Sequence, residues 1–332
     1  MAIIFSDGLD KYSVLADLQS VGYTLGSATF ATTGGRFNGG RVYSTSSALT
    51  MNIPGFSAMT EVWSSVAMMF SAGATTGTFM IFYSPNNSEV HLQYNYSSGL
   101  ISAYRYSTSI ANLLGSASFP LTAGNWIRCD ARVKCDSSTG EVEVWMNGTQ
   151  LFNITGVNTK YTATTTGISY VQYGGSYIGF DDIVITDTTT GRLPDTRIIT
   201  QRPTSDGPIS NGTATPAGSH WSAVDDIGTG TSDYVTISNS AGQTELFGFS
   251  SLGVTPKTIY TVKAESWSNK TGTEPLVLKP TIKSSSTSSD GTGTNLYLTQ
   301  TLTSSQWATD PNTSAAWTAS AVNGLKAGVK VG

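Results

Sequence analysis

Few side chains in this chain stand where they could do chemistry together. Its 332 residues include two histidines, His91 and His220, and two cysteines, Cys129 and Cys135. His91 sits in an alternating run beside Glu89 and Gln93, and His220 directly precedes Trp221. Neither has Cys or His partners at zinc spacing, and no Asp-x-Asp-x-Asp-Gly loop occurs. Serine is abundant, but no Gly-x-Ser-x-Gly elbow presents one to a base. Cleaving a glycosidic bond takes two carboxylates flanking it. Glu141 and Glu143 are two apart, so they share a strand face, with Trp145 following. They form either a hydrolase or lectin face or a solvated strand edge. Asp181 and Asp182 are adjacent, and in a regular strand they point to opposite sides and cannot cooperate. No catalytic residue, cofactor or metal ligand follows from these patterns.

The cysteines lie in the segment "NWIRCDARVKCDSSTGEVEVWMNG". Ile127, Cys129, Ala131, Val133 and Cys135 alternate with Trp126, Arg128, Asp130, Arg132 and Lys134, the period-two pattern of a half-buried strand. Asp136-Ser137-Ser138-Thr139-Gly140 supplies a turn, and Val142, Val144 and Met146 give the returning strand its dry face. Asn147-Gly148 marks a second tight turn. Cys129 and Cys135 share one strand, about 20 Å apart at ~3.3 Å per residue. A disulfide needs Cα atoms about 4.4–6.8 Å apart, so these two are expected as buried free thiols in a reducing compartment.

Tyrosines are the stronger signal. Tyr94, Tyr96, Tyr104, Tyr106, Tyr170 and Tyr173 fall along predicted strands and are read as exposed. Such a row can pack across strands, bury a subunit interface or stack on sugar rings. These six are the candidate interface or glycan-stacking residues.

Composition narrows the setting. Net charge is −4 with 12% charged residues, and nucleic acid needs a basic stripe that is absent here. No run approaches the ~18 apolar residues of a membrane span. The N-terminus lacks the basic region and cleavage site of a secretory signal, which points to synthesis and folding in a cytoplasm. Ser and Thr number 44 and 48 and Gly 35, residues of strands and turns rather than helices.

Strand-like runs recur about every ten residues: Ile3–Phe5, Arg41–Tyr43, Glu61–Phe70, Thr78–Tyr83, Val90–Tyr96, Leu100–Tyr106, the hairpin, and Ser176–Thr186. Tyr12, Leu15 and Leu18 have helical spacing. This spacing of strands predicts a sandwich and excludes a βαβ fold. A boundary is expected near residue 190. Residues 191–219 read as a linker, with a bridging strand over Thr196–Arg202 and a loop over Pro203–Ser219. Residues 220–332 read as a second β-sandwich, with strands at Tyr234–Ile237, Thr244–Phe249, Thr258–Ala264, Leu276–Lys283, Asn295–Thr299 and the C-terminus. Ser284–Gly293 is read as a mobile hairpin tip.

Residues 1–190 resemble the concanavalin A-like/laminin-G-like (LamG-like) jelly rolls. The resemblance rests on Phe5-Ser6-Asp7-Gly8, on the Trp126 to Gly148 hairpin and on Phe180-Asp181-Asp182-Ile183-Val184-Ile185. It implies that the last strand returns beside the first, and that Asp181 or Asp182 could lie near a calcium ion. Over nearly its whole length the chain also resembles tailed-bacteriophage virion proteins in which such a jelly roll precedes a second sandwich. "TQRPTSDG", "HWSAVDD" and "DPNTSAAWT" carry that likeness. It implies a non-catalytic virion structural protein, a capsid decoration, fibre or tail-associated protein assembled in the bacterial cytoplasm. It would act through contacts with symmetry-related copies, as a trimer by family habit, and with other capsid or tail proteins. The alternative is a phage receptor-binding module that recognises host surface glycans.

Overall fold

In the computed structural model the hairpin forms as its alternation dictates. Trp126–Lys134 and Gly140–Met146 pair antiparallel, from Cys129 opposite Met146 to Lys134 opposite Glu141. Between them the Asp136 carboxylate accepts the N–H groups of Ser138 and Thr139, a local turn that holds its pKa far below the usual carboxylate range. At the far end Asn147 and Gly148 both take positive φ, 49° and 83°, the conformation an Asn-Gly hairpin turn requires. The structure describes residues 3–45, 49–187, 191–193, 195–228, 232–256 and 258–332. These fall into two compact units, 1–198 and 199–332.

The first unit is a sandwich of two antiparallel sheets. One has eight strands: β13 (Thr149–Val157), β12 (Gly140–Met146), β11 (Trp126–Lys134), β6 (Glu61–Phe70), β15 (Ile178–Thr186), β4 (Arg41–Tyr43) and β3 (Thr29–Ala31) in that order, with β1 (Ile3–Asp7) beside β15. The last strand thus returns to the first, Asp7 opposite Ile183. The other has seven: β10 (Leu113–Ser118), β9 (Leu100–Arg105), β8 (Ser88–Asn95), β7 (Thr76–Tyr83), β14 (Tyr170–Gly175), β5 (Leu49–Asn52) and β2 (Thr24–Gly26). Inward side chains of both sheets meet in one core. Phe70 packs edge-on against Tyr94, Tyr173 against Phe180, and Ser64 hydrogen-bonds the Tyr173 hydroxyl at 2.8 Å. The α-helix α1 (Leu15–Ser20) buries Leu18.

Cys129, on the inner face of β11, and Cys135, the residue after its end, are free and buried. Burial pushes the Cys135 thiol up to about 12 and Cys129 higher still, so both are inert as nucleophiles. The opposite face of β11, read as wet, is partly covered. Arg128 and Asp130 are 2% and 1% exposed. The cover is the unit's own C-terminal segment: Arg192 donates to Asp130 at 3.0 Å, Arg128 donates to Thr196, and Ile198 N–H donates to Asp182.

The second unit has a six-stranded antiparallel sheet, β16 (Pro203–Ser210), β19 (Thr244–Phe249), β25 (Lys326–Val331), β21 (Val277–Ser284) and β22 (Thr287–Asp290), with β23 (Thr294–Asn295) also on β21. A ribbon of β20 (Val262–Ser268) and β24 (Thr301–Trp307) supplies Ala264 to a core with Ile282, Trp317, Leu325 and Ala327. A second ribbon joins β17 (Thr213–Thr215) to β18 (Tyr234–Thr236), and α2 (Ala319–Asn323) is capped by Thr318.

Three sequence readings change here. Thr196–Arg202 is irregular, not a strand: Thr196 accepts from Arg128, Ile198 N–H donates to Asp182, and Gln201 donates to Ser250 O, with no strand-to-strand ladder. Pro203–Ser219 is not a loop but holds β16 and β17. Pro203 and Pro208 lack an N–H, which a strand tolerates at a sheet edge, and β16 is the edge. Ser284–Gly293 is more than a hairpin tip, because it holds β22 paired to β21, with Thr281 donating to Asp290 and Lys330 paired to Asp290 at 2.7 Å.

Candidate functional site on the seven-stranded sheet

Each strand of the seven-stranded sheet sends alternate side chains inward and outward. On β8, Val90, Leu92 and Tyr94 are buried while His91, Gln93 and Asn95 lie on the other face. Register carries this outward set across the sheet. Asn52 on β5 is opposite Gln172 on β14, Gln172 opposite Ile81 on β7, Ile81 opposite His91, and His91 opposite Tyr104 on β9. Five strands thus contribute one row, roughly 19 Å long at ~4.8 Å between strands. Beside it Tyr170 lies opposite Tyr83, and their rings stack with centroids 4.6 Å apart and planes at 7°. Burial raises the pKa of both phenols, so each keeps its O–H as a donor.

Two atoms of the row have no hydrogen-bond partner although both are covered: Asn52 Oδ1 and His91 Nε2. Covered polar atoms are nearly always paired, and an unpaired one costs about 1–3 kcal/mol. Burial also lowers the His91 pKa to about 4, so the ring is neutral at pH 7. The strands of this sheet carry two charged residues, Glu89 and Arg105. Glu89 is fully buried and accepts from Tyr161 N–H and Thr165. Arg105 lies over the ring of Tyr106.

The six predicted tyrosines separate. Tyr104 and Tyr170 are on this face. Tyr94 and Tyr173, read as exposed, are 1% and 0% exposed core residues; their hydroxyls reach Ser176 O at 2.9 Å and Ser64 Oγ at 2.8 Å. Alternation identifies two faces but does not say which is dry, and a tyrosine whose O–H finds a partner is a good core residue. Tyr96 follows the end of β8 and packs 5.9 Å from Phe70. Tyr106 follows β9 with φ of 43° and packs on Tyr161. Neither joins the row. Tyr83, Asn52, His91 and Gln172 were not among the predicted site residues.

The paired carboxylates are otherwise engaged. Glu141 and Glu143 do share the outer face of the eight-stranded sheet, and Arg132 binds both, together with Glu61 at 2.8 Å. Glu143 also accepts from Trp145 Nε1 at 2.7 Å and from Gln150 at 2.6 Å. Asp181 and Asp182 do not point to opposite sides. The pairing of β15 with β6 bulges between Asp181 and Val184, and Asp182 takes φ of 48°. A bulge breaks alternation, and both carboxylates are buried, with Asp182 and half-buried Asp10 near enough to Asp181 for their charges to act on it. Asp181 accepts from the N–H groups of Arg36 and Asp182, and Asp10 from Gly40. Burial first, then the Asp182 charge, push Asp181 up to about 8, so it holds a proton at neutral pH. Among the described residues no three His, Cys, Asp or Glu side chains are arranged to hold a metal ion. In the second unit Ser210 Oγ and Glu245 Oε1 both meet His220 Nδ1, at 2.7 and 2.8 Å. A nucleophile relay uses both ring nitrogens, so this trio is a hydrogen-bonded cluster on buried Glu245.

No protein-family model and no curated protein matches the sequence. Solved structures that align with it include carbohydrate-binding module CBM66 from Bacillus subtilis, 10% identical over 51% of this chain and 97% of that one, with a TM-score of 0.36. A protein of unknown function with a galectin-like fold, also from Bacillus subtilis, is 10% identical over 56% and 96%, with a TM-score of 0.39. The galectin LEC-6 of Caenorhabditis elegans is 9% identical over 44% and 96%, with a TM-score of 0.31.

Proposed function

We propose that this protein is a non-catalytic glycan-recognition protein, and that the outer face of its seven-stranded sheet is the recognition surface. One observation carries the reading: an aromatic stack, Tyr83 on Tyr170, adjoins a polar row in which Asn52 Oδ1 and His91 Nε2 lack partners. Sugar rings present an apolar C–H face and a fringe of hydroxyls. The C–H face packs on tyrosine, and hydroxyls both donate and accept, so they can pair a carbonyl oxygen and a neutral imidazole once neighbouring rotamers part. The ion pairing of Glu141 and Glu143 with Arg132 favours binding over cleavage. The test is an immobilised-glycan array probed with the wild type and with Tyr83→Ala/Tyr170→Ala. Signal on the wild type that disappears in the variant is the expected result; a blank array for the wild type removes the reading.

The resemblance to tailed-phage proteins supplies a setting, a receptor-binding module on a virion that reads host glycans. A second reading is a virion structural protein working through protein contacts. It is favoured by Tyr297 and Leu298, side by side in the second unit and 61% and 60% exposed. Sedimentation of the wild type against Tyr297→Ser/Leu298→Ser tests it: an oligomer that dissociates in the variant supports the structural role.

A further inference from the structure

We infer that the outer face of the seven-stranded sheet takes an uncharged oligosaccharide of several sugars, laid across the strands along the Asn52–Gln172–Ile81–His91–Tyr104 row. The inference rests on the glycan-recognition reading and gives it a ligand class. Anionic glycans are held by cations, above all by Arg, whose planar fork matches a carboxylate or sulfate. Among the described residues the outward positions of these strands hold no Lys or Arg; Arg105 is opposite Val90, on the inward side of the alternation. His91 adds no charge at neutral pH, because burial holds it near 4. A carboxylated or sulfated chain would lose its water here and gain no counter-charge. Cations do occur in this unit, on or against the other sheet, where Arg128, Arg132 and Arg192 are all paired to carboxylates.

Length follows from register. A single sugar on the Tyr83–Tyr170 stack cannot span a row that crosses five strands. The neutral amides of Asn52 and Gln172 lie on one side of apolar Ile81, with His91 and Tyr104 on the other. The row thus offers polar groups, an apolar step and polar groups again. That alternation suits a chain of linked rings, with hydroxyl fringes at both ends of one apolar stretch.

The experiment is calorimetric titration of the full-length protein with neutral glucan, mannan and galactan fragments, as disaccharides and pentasaccharides, and with oligoalginate, sialylated oligosaccharide and heparin fragments. Expected is binding of at least one neutral series, with the pentasaccharide about tenfold or more tighter than its disaccharide, and no heat from the anionic series. Asn52→Ala and Gln172→Ala, changes on a sheet surface that leave the core intact, should each weaken the pentasaccharide more than the disaccharide. Tyr83→Ala/Tyr170→Ala should abolish binding of both lengths. Binding of an anionic series that the tyrosine variant abolishes overturns the uncharged class while the glycan reading survives. Equal affinity for disaccharide and pentasaccharide overturns the extended row. Neutral binding indifferent to all four substitutions, or no binding of any fragment, overturns both.

Discussion

The two outer faces of the first unit are built on the same alternation and are used in opposite ways. On the eight-stranded sheet the outward residues of β11 are Arg128, Asp130, Arg132 and Lys134, and each has an opposite charge within 4 Å. Arg192 and Thr196, from the unit's C-terminal segment, then cover one end of them. On the seven-stranded sheet the outward residues are neutral amides, hydroxyls, one neutral imidazole and stacked rings, and two of their polar atoms are unpaired. The first face answers its charges from within by ion pairs, although Arg41 Nε and Arg132 Nε there also lack a hydrogen bond. What sets the second face apart is that its unpaired atoms, Asn52 Oδ1 and His91 Nε2, belong to neutral groups beside an aromatic stack, which an uncharged ligand can meet.

The comparison breaks most readily at Arg128. It is 2% exposed and serves Asp130, the Asp182 carbonyl and Thr196. Removing one member of a buried ion pair leaves an uncompensated charge, at a cost of roughly 3–5 kcal/mol. Arg128→Ala should lower the first unit's melting temperature by many degrees in a calorimetric scan. Any glycan affinity of the protein that still folds should be unchanged. Next in size is the stack. Tyr83→Ala should cost about 1 kcal/mol for the lost ring stack, with the burial of its half-covered ring lost in addition. It should nevertheless lose most glycan affinity. A stable variant that binds as the wild type does would dissolve the distinction between the faces.

How much of this the sequence discloses depends on the range of each contact. The hairpin from Trp126 to Met146 is local: alternation, an Asp turn and Asn-Gly specify it, and it forms as read. The carboxylate faces were assigned by the same alternation. It succeeded for Glu141 and Glu143, in a regular strand, and failed for Asp181 and Asp182, where a bulge intervenes that no residue type announces. The tyrosines show the deeper limit. Tyr83 and Tyr170 meet only because β7 and β14 pair across a long stretch of intervening chain, and nothing local encodes that pairing. Tyr94 and Tyr104 look alike in sequence, both in alternating runs, yet one fills the core and the other faces out. Which face is dry is decided by the opposite sheet. The edge strand β16 was hidden for the converse reason, because its prolines are permitted by a position in the sheet that local sequence does not reveal.

Acidity and alkalinity should pull on two buried groups in opposite directions. His91 stays neutral in the fold down to about 4, while in the unfolded chain it takes a proton near 6.5. Between those values the unfolded state binds more protons, so this contribution to stability falls as pH drops from 6.5 toward 4. His91→Gln should flatten that limb. Asp181 keeps its proton in the fold up to about 8 but ionises near 3.8 when unfolded. Over that window the native state binds more protons, so its contribution falls as pH rises, and Asp181→Asn should flatten the alkaline side. Melting curves of the three proteins between pH 4 and 8 check both signs at once. Coincident curves for His91→Gln and wild type would mean that the imidazole titrates freely and is not buried in the row.

The smallest effect belongs to Glu141, and it sharpens the contrast because its partner pair looks most like catalytic machinery. Its side chain is 23% exposed and that of Arg132 21%, so solvent screens their attraction, and such a pair is worth about 0–1 kcal/mol. Glu141→Gln should therefore shift the melting temperature by a few degrees at most, less in high salt, and leave glycan affinity unaltered. Glu143→Gln should cost more, because this side chain is buried, and an amide that keeps its oxygen on Trp145 and Gln150, which share Oε1, must turn its NH2 against Arg132. A carboxylate held by three donors on a rigid strand is positioned as a structural acceptor. Were Glu143→Gln the milder of the two substitutions, the ion-pair account of this face would fail, and its acids would have to be free for another task.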